Sequence, residues 1–300
     1  QAEDGIRYLV RSRGLGDVYK RQRIKNGLQG FSVDRILCFT GSSLLLGYFL
    51  KRSFKSRLFR FRTEGMRLKM NIFNRFLYTH CDHVISGNKQ IENDIKRFGI
   101  SNTEILYMPV HCDKFLPQPS VHLKCLGFLG RLDHIKGFNI LIPAMNRIWE
   151  DYPDLELHIA GREVNYTWEE LQGRFTGPVH YHGYLEPEQV PLFLSRLDLG
   201  LLPSTGSEMT SRALLEWWSS SKPVIVTDVG IFPELVSHKH NGYMVKGNDV
   251  NELTAGIRFF ISNPKTLQSF GAAGRAKVLN ELSYDEFSKR LINFIKSTEN

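Results

Sequence analysis

The chain lacks the patterns that define several large protein classes. Its four cysteines, Cys38, Cys81, Cys112 and Cys125, are scattered through 300 residues without close metal-ligand spacing. They fit neither a disulfide scaffold nor a zinc module, and they read as reduced thiols of a cytoplasmic protein. No apolar run approaches the roughly 20 residues needed to cross a bilayer; the longest, at 44–50, falls well short. The first residues lack the charged, apolar and small-residue order of a secretory signal. There is no GxGxxG, so a dinucleotide fingerprint is not expected. No internal repeat or low-complexity tract occurs.

What is present is ordinary globular composition: 42% hydrophobic and 23% charged residues, in a chain long enough for two domains. The net charge of +8 is unevenly spread. Residues 1–22 carry five basic and three acidic groups, residues 23–120 carry 16 and 7, and residues 121–300 carry 18 and 21. The basic excess therefore belongs to the first part of the chain, where it points to an anionic surface or substrate. Residues 1–22, including RSRGLGDVYKRQ, show no apolar periodicity. They resemble a translated adapter read-through at the end of a metagenomic reading frame, with a natural basic tail as the alternative. The segment is set aside as non-native, and the native N-terminus is expected to be missing.

From residue 33 onward, strands and helices alternate. VDRILCFT (33–40), RLFRFR (57–62), HVISG (83–87) and EILYMPV (104–110) read as strands, with helices over SSLLLGYFLKR, about 68–80, and NKQIENDIKRFG, closed by Gly99. Pro117 and Pro119 mark a linker. A second α/β domain then begins with KCLGFLG, with strands at 155–160, 179–182, 197–202 and 223–227 and a helical tail over about 250–297. The predicted division is a partial N-terminal domain at 23–118, a C-terminal domain at 119–282, and a C-terminal helix at 283–300 packing back on the first domain. Strand–helix alternation implies right-handed crossovers and a doubly wound parallel sheet, with ligands at the carboxyl ends of its strands.

Those strand ends carry the candidate chemistry. GRLDHIKG (130–137) brings Gly130, Arg131 and Lys136 to one turn, where a diphosphate is a natural partner and solvated surface charge the plain alternative. Gly161 follows one strand. Tyr184 follows another, where it can stack on a base or simply cover the core. LLPSTGSEMTSRALLEWW places Glu208 before an expected helix and Glu216 two turns inside it. Met209, Thr210 and Ser211 are expected as its first residues, with N–H groups free for a phosphate or sugar. On spacing alone the glutamates fit a helix cap and a solvated helix residue better than a ligand clamp.

Taken in order, GRLDHIKG, IAG, HGY, LLPS, Glu-x7-Glu, KPVIVTDVGIFPELV and NGYMV resemble the donor domain of the retaining, GT-B-fold glycosyltransferases of family 4. HVISGNKQIENDIKRFGISNTEILYMPVHCDKF resembles the end of that family's acceptor domain. The resemblance implies an α/β protein of two Rossmann-like domains, the first incomplete. It implies that Arg131 and Lys136 hold a diphosphate, that Glu208 contacts hydroxyls of the transferred sugar, that Glu216 accepts from the ribose, and that backbone at Met209 to Ser211 supports sugar or phosphate. It further implies a nucleotide-sugar donor, transfer with retention, and no bound metal or other cofactor. The sequence agrees in showing no DxD pair and no histidine cluster. Leaving-group stabilisation would then be the main catalytic work. Phosphorolysis on the same fold would need a pyridoxal phosphate lysine, and none is evident.

Some positions depart from the family. Trp217 and Trp218 replace small residues, Ser221 stands where a turn glycine is common, and ILCFTGSS lacks the histidine often found after an early strand. The expected function is sugar transfer to a glycan or lipid-linked acceptor in envelope, capsule or lipopolysaccharide synthesis. The alternative is a non-catalytic sugar-nucleotide-binding or partner-binding remnant. The basic, aromatic stretch 49–69 has three readings: a solvated surface, a dock for anionic lipid at the inner face of a membrane, and a nucleic-acid contact. The last is disfavoured because nothing else resembles a nucleic-acid module, so no nucleic acid is expected as a partner.

Overall fold

A computed structural model describes residues 23–28, 30–63, 71–206 and 208–298. The segment 1–22 lies outside the described residues, as do 64–70 within the basic stretch and Ser207 beside Glu208. The chain divides into two compact units between Tyr107 and Met108. Both are α/β with parallel sheets, the expected fold class.

The first unit contains a helical run α1 (23–27) and a four-stranded sheet in the order β1 (Arg35–Cys38), β2 (Arg57–Arg62), β3 (His83–Ser86), β4 (Thr103–Ile105). Crossovers are made by α2 (Gly41–Phe54), α3 (Ile72–Thr79) and α4 (Lys89–Lys96). Thr40 and Ser43 close a capping box at the start of α2, and Asn71 and Asn88 cap α3 and α4 by accepting from Asn74 and Ile91 backbone N–H groups at 2.7 Å. These caps set the helix starts. The α3 start at Ile72 is four residues later than the periodicity suggested.

Strand β2 revises the reading of the basic stretch. Arg60 and Arg62 are buried in the sheet, not displayed on a surface. Arg60 Nη1 donates to the Cys38 carbonyl at 3.1 Å, and Arg62 Nη1 donates to the Tyr78 hydroxyl at 3.2 Å. A parallel sheet is covered on both faces, so its strands bury residues of both parities. Lys51 is also engaged, in a 2.7 Å ion pair with Asp82.

The second unit is built on a six-stranded parallel sheet in the order β10-β9-β8-β5-β6-β7. Its strands are β5 (Cys125–Leu129), β6 (Glu156–Ala160), β7 (Val179–Tyr181), β8 (Leu199–Leu202), β9 (Val224–Thr227) and β10 (Tyr243–Val245). Between them run α5 (Phe138–Asp151), α6 (Trp168–Gln172), α7 (Val190–Ser195), α8 (Arg212–Ser219), α9 (Phe232–Leu235) and α10 (Val250–Ser262). The tail comprises α11 (Lys265–Lys277), one π turn at Val278–Leu282 and α12 (Tyr284–Ser297). The strand order reverses between β5 and β8, the dinucleotide-fold switch point at which a crevice opens beyond the carboxyl ends.

The end of the strand predicted at 104–110 and the residues read as a linker both bond into this unit. The Val110 N–H donates to Leu282 O at 3.0 Å, Gln118 N–H to Ser220 O at 3.2 Å, and the Lys222 ammonium to Ser120 Oγ at 3.2 Å. The unit boundary therefore falls about ten residues before the prolines.

Trp217 and Trp218 are both fully buried. Trp217 lies against β5 and β8 where those strands carry Gly127 and Gly200; a Cβ at either glycine would come within 2.6 Å of its ring. Trp218 donates from Nε1 to Asn241 O at 2.8 Å and lies over Gly274 of α11. The bulky pair is thus accommodated by glycines on facing elements. The indole N–H of Trp217 is buried without a partner, a cost of about 1–3 kcal/mol carried beneath the switch point. Ser221 adopts φ 57°, the left-handed conformation for which glycine is favoured.

Among the described residues no helix is long and apolar enough to cross a membrane.

Candidate functional site

The site forms where the turn after β5 meets the loop after β8. Gly130 follows β5, and its N–H donates to Ala160 O at 2.9 Å. Across from it, Gly161 has φ 155°, and a Cβ there would lie 1.7 Å from Gly130 O. The two turns touch backbone to backbone, which only glycine at 161 permits. Asp133 then accepts from the Ile135 N–H at 3.3 Å and starts the 3-10 turn His134–Lys136. Gly137 closes that turn at φ 82°, and a Cβ there would lie 1.8 Å from Pro203 O. The Thr205 N–H donates to Ile135 O at 2.9 Å. The βα turn of β5 is thereby held against the chain leaving β8.

That contact brings Lys136 and Glu208 together across 72 residues of sequence. The Lys136 ammonium bonds Glu208 Oε1, and Ser204 Oγ donates to the same oxygen at 2.6 Å. Glu208 is buried. Its carbonyl accepts from the Ile231 N–H at 2.7 Å, and Gly230, at φ 60°, gives way to it: a Cβ there would lie 2.2 Å from that oxygen. Thr227 Oγ1 donates to Ser204 O at 2.6 Å. A buried carboxylate with one cation and one hydroxyl retains lone pairs for a ligand's hydroxyls, and the cation retains protons for an anion.

Arg131 is half-exposed and pairs with Asp133 at 3.2 Å, so its guanidinium is steered at the mouth of the turn. Tyr184, beyond β7, is also half-exposed and carries the Arg162 guanidinium 4.8 Å over its ring. This is a cation–π contact that leaves the opposite ring face available.

Helix α8 departs from expectation. It begins at Arg212, so Met209, Thr210 and Ser211 precede the helix. The Ser204 and Glu208 carbonyl bonds hold this stretch to β9 and its loop, delaying the first turn. Ser211 occupies the N-cap without a side-chain cap bond, and no acidic residue stands in the first turn. The Arg212 N–H donates to Thr210 O at 2.9 Å, and with no acidic side chain in the first turn the macrodipole at this N-terminus favours an anion. Glu216 lies one turn in, not two, and is buried. Burial raises its carboxyl pKa above the ordinary range, opposed by Arg212, whose Nε donates to Glu216 Oε1 at 2.8 Å.

The predicted residues thus fall into connected groups. Gly130, Arg131, Gly161, Lys136 and Glu208 share the β5–β8 junction; Glu216 pairs within α8; Tyr184 pairs with Arg162. Ser204, Gly137, Arg162, Arg212 and Gly230 were given no role from the sequence. The serine of LLPS and the glycines closing each turn were the available signals.

The expectation of no histidine cluster is overturned. His158 and His180 are register partners on β6 and β7, their rings stacked at 4.8 Å, and His158 Nδ1 lies 3.0 Å from His182 Nε2. Strand pairing joins what the sequence separates by 22 to 24 positions.

Two α/β units, each built on a parallel sheet, the second with its switch point at β5–β8, define an α/β protein of the GT-B fold class. The chain belongs to the family of glycosyl transferases group 1, whose model matches residues 118–277. It is 25% identical to a glycogen synthase of Mycobacterium tuberculosis over 162 residues, 53% of this chain and 39% of that protein. It is 30% identical to a GDP-mannose-dependent mannosyltransferase of Corynebacterium glutamicum over 175 residues, 56% of this chain and 46% of the relative. The chain thus spans less than half the length of these curated relatives. The crystal structure of Anabaena Alr3699/HepE in complex with UDP matches with TM-score 0.80 and 17% identity, covering 92% of this chain and 82% of that one. That likeness extends the fold assignment to both units.

Proposed function

We propose that this protein is a retaining glycosyltransferase that moves a sugar from a nucleoside diphosphate to a glycan or lipid-linked acceptor of the cell envelope. The carrying observation is the group in which Lys136, partly buried, meets buried Glu208 and Ser204 beside the Gly130–Gly161 contact at the switch point. In the donor complex the diphosphate takes the Lys136 ammonium from Glu208 and draws Arg131 from Asp133. Glu208, still held by Ser204, accepts from hydroxyls of the transferred sugar. Glu216 accepts from the ribose, and Tyr184 offers a ring face to the base.

Departure of the nucleoside diphosphate builds negative charge at the β-phosphate. Arg131, Lys136 and the α8 N-terminus are preorganised to stabilise that charge, and this carries most of the rate enhancement. The acceptor hydroxyl attacks from the leaving-group face, which retains the anomeric configuration. Charge from these groups makes a divalent metal unnecessary in this step. The acceptor work is proposed to take place at the cytoplasmic face of a membrane. Of the basic stretch, Arg52, Lys55 and Phe49 remain exposed for anionic lipid, while Arg60 and Arg62 are withdrawn from it.

A thermal-shift screen against nucleoside diphosphate sugars tests this reading. Ligand at 100 times its dissociation constant stabilises by about 2.7 kcal/mol. One donor is expected to raise the melting temperature of the native protein, and to raise that of Glu208→Gln by clearly less. A flat response to uridine, guanosine and adenosine diphosphate sugars alike contradicts the proposal.

A further inference from the structure

A second polar constellation lies on the same sheet, toward the strand starts and away from the βα turns. Cys125 opens β5, Glu156 opens β6, and the two are register partners. His158 follows Glu156 by two positions, so both side chains share one face of the sheet. Cys125 Sγ, a Glu156 carboxylate oxygen and a His158 ring nitrogen all lie within 4.8 Å of one another. His180 brings its Nε2 to 3.5 Å from Glu156 Oε2, against 3.2 Å for His158 Nε2.

We propose that Cys125, Glu156, His158 and His180 form a binding site for a tetrahedral transition-metal ion, zinc being the best match. The donor set is one thiolate, one carboxylate and two imidazoles, which suits zinc and excludes calcium or magnesium. The spacing fits too. Metal–ligand distances of about 2.0–2.2 Å for nitrogen and oxygen place tetrahedral donors about 3.4 Å apart, and the two measured nitrogen–oxygen separations are 3.2 and 3.5 Å. His180 lies outside the set within 4.8 Å and stacks on His158, and its half-exposed ring turns to complete the site. Coordination releases the Cys125 thiol proton to solvent.

His182 is a positioning residue. Its Nε2 lies 3.0 Å from His158 Nδ1, the nitrogen opposite the one facing Glu156. With His182 Nε2 accepting from His158 Nδ1, His158 leaves its Nε2 unprotonated for a metal, the usual outer support of a ligating histidine. His182 itself packs edge-on against Phe193 of α7 at 5.2 Å, which holds its ring.

The bound ion ties β5, β6 and the edge strand β7 together. Its position at the strand starts separates it from the proposed donor chemistry, so it acts on the sheet and not on sugar transfer. An edge strand of three residues, Val179–Tyr181, is the element with most to gain from such a tie.

Untagged protein, stripped with a chelator and titrated with zinc against a chromophoric competitor, tests this. One equivalent should bind, and the melting temperature should rise with it. Cobalt in place of zinc should give intense tetrahedral visible bands and a near-ultraviolet thiolate-to-cobalt band. Cys125→Ser should abolish that ultraviolet band. His180→Ala, altering a half-exposed residue, should weaken zinc binding, and His182→Ala should weaken it about 10- to 100-fold while the cobalt spectrum keeps its thiolate band. Melting in excess chelator confirms that each variant is folded. Absence of stoichiometric uptake, or equal uptake by the native protein, Cys125→Ser and His180→Ala, overturns the assignment. Because uptake is read without substrate, its failure leaves the glycosyltransferase reading intact.

Discussion

The two polar groups of the second unit sit on one sheet yet are built by opposite means. At the β5–β8 junction, turns are pressed together by glycines at 137, 161 and 230, and a buried Glu208 pairs with a partly buried Lys136. At the β5–β6–β7 edge, the polar side chains belong to the strands themselves, brought together by register and left partly open to solvent. The first arrangement spends backbone freedom to hold a charged pair away from water, which favours recognition of an ionic ligand. The second needs no unusual backbone and gathers soft donors, which favours an ion.

If the junction depends on glycine contacts, breaking one should have the largest effect. Gly137→Ala forces a side chain into the left-handed region and against Pro203 O. It should destabilise the second unit by about 3 kcal/mol or more in denaturant melts. A loss below 1 kcal/mol would mean that the two turns are not locked. Next is Lys136→Ala, which leaves Glu208 buried without its cation and should cost about 3 kcal/mol. Lys136→Met combined with Glu208→Gln should recover much of that stability without recovering donor binding. Recovery of both would remove the pair from the site.

Glu216→Gln should weaken donor binding about 10- to 100-fold, the worth of a hydrogen bond to a charged group. It should also change the pH dependence of stability. Burial raises the Glu216 carboxyl pKa in the fold, so the folded state holds its proton more tightly than the unfolded chain. This contribution is complete below the unfolded value and is lost as pH rises through the folded one. Melts from about pH 4 to about pH 8 should therefore fall less steeply in Glu216→Gln than in the native protein. An identical slope would contradict the burial argument. The smallest effect is expected at Ser221, where glycine should stabilise by about 1 kcal/mol by relieving the positive φ.

The junction was legible in the sequence because its parts are contiguous. GRLDHIKG and LLPS follow strands whose apolar runs are plain, and a doubly wound sheet sends strand ends to one crevice. The edge cluster was hidden because the residues that form it are separated along the chain; only the pairing of His158 with His180 reveals it. The α8 start was misplaced because hydrogen bonds from Thr227 and Ile231 hold the preceding loop, and neither is local. The buried arginines of β2 were read as surface charge because alternation alone does not say that both sheet faces are covered. Strand β10 was quoted as NGYMV but not read as a strand, its three residues being too few to show a period.

The most direct test of the donor site compares Glu208→Gln with the native protein in calorimetric titrations, using free nucleoside diphosphate and its sugar conjugate, UDP and UDP-sugar first. Lys136 is assigned to the diphosphate and Glu208 to the sugar. The variant should therefore bind the diphosphate at least as well as the native protein, while affinity for the conjugate falls about 10- to 100-fold. Unchanged affinity for the conjugate, or an equal loss for both ligands, would contradict the assignment.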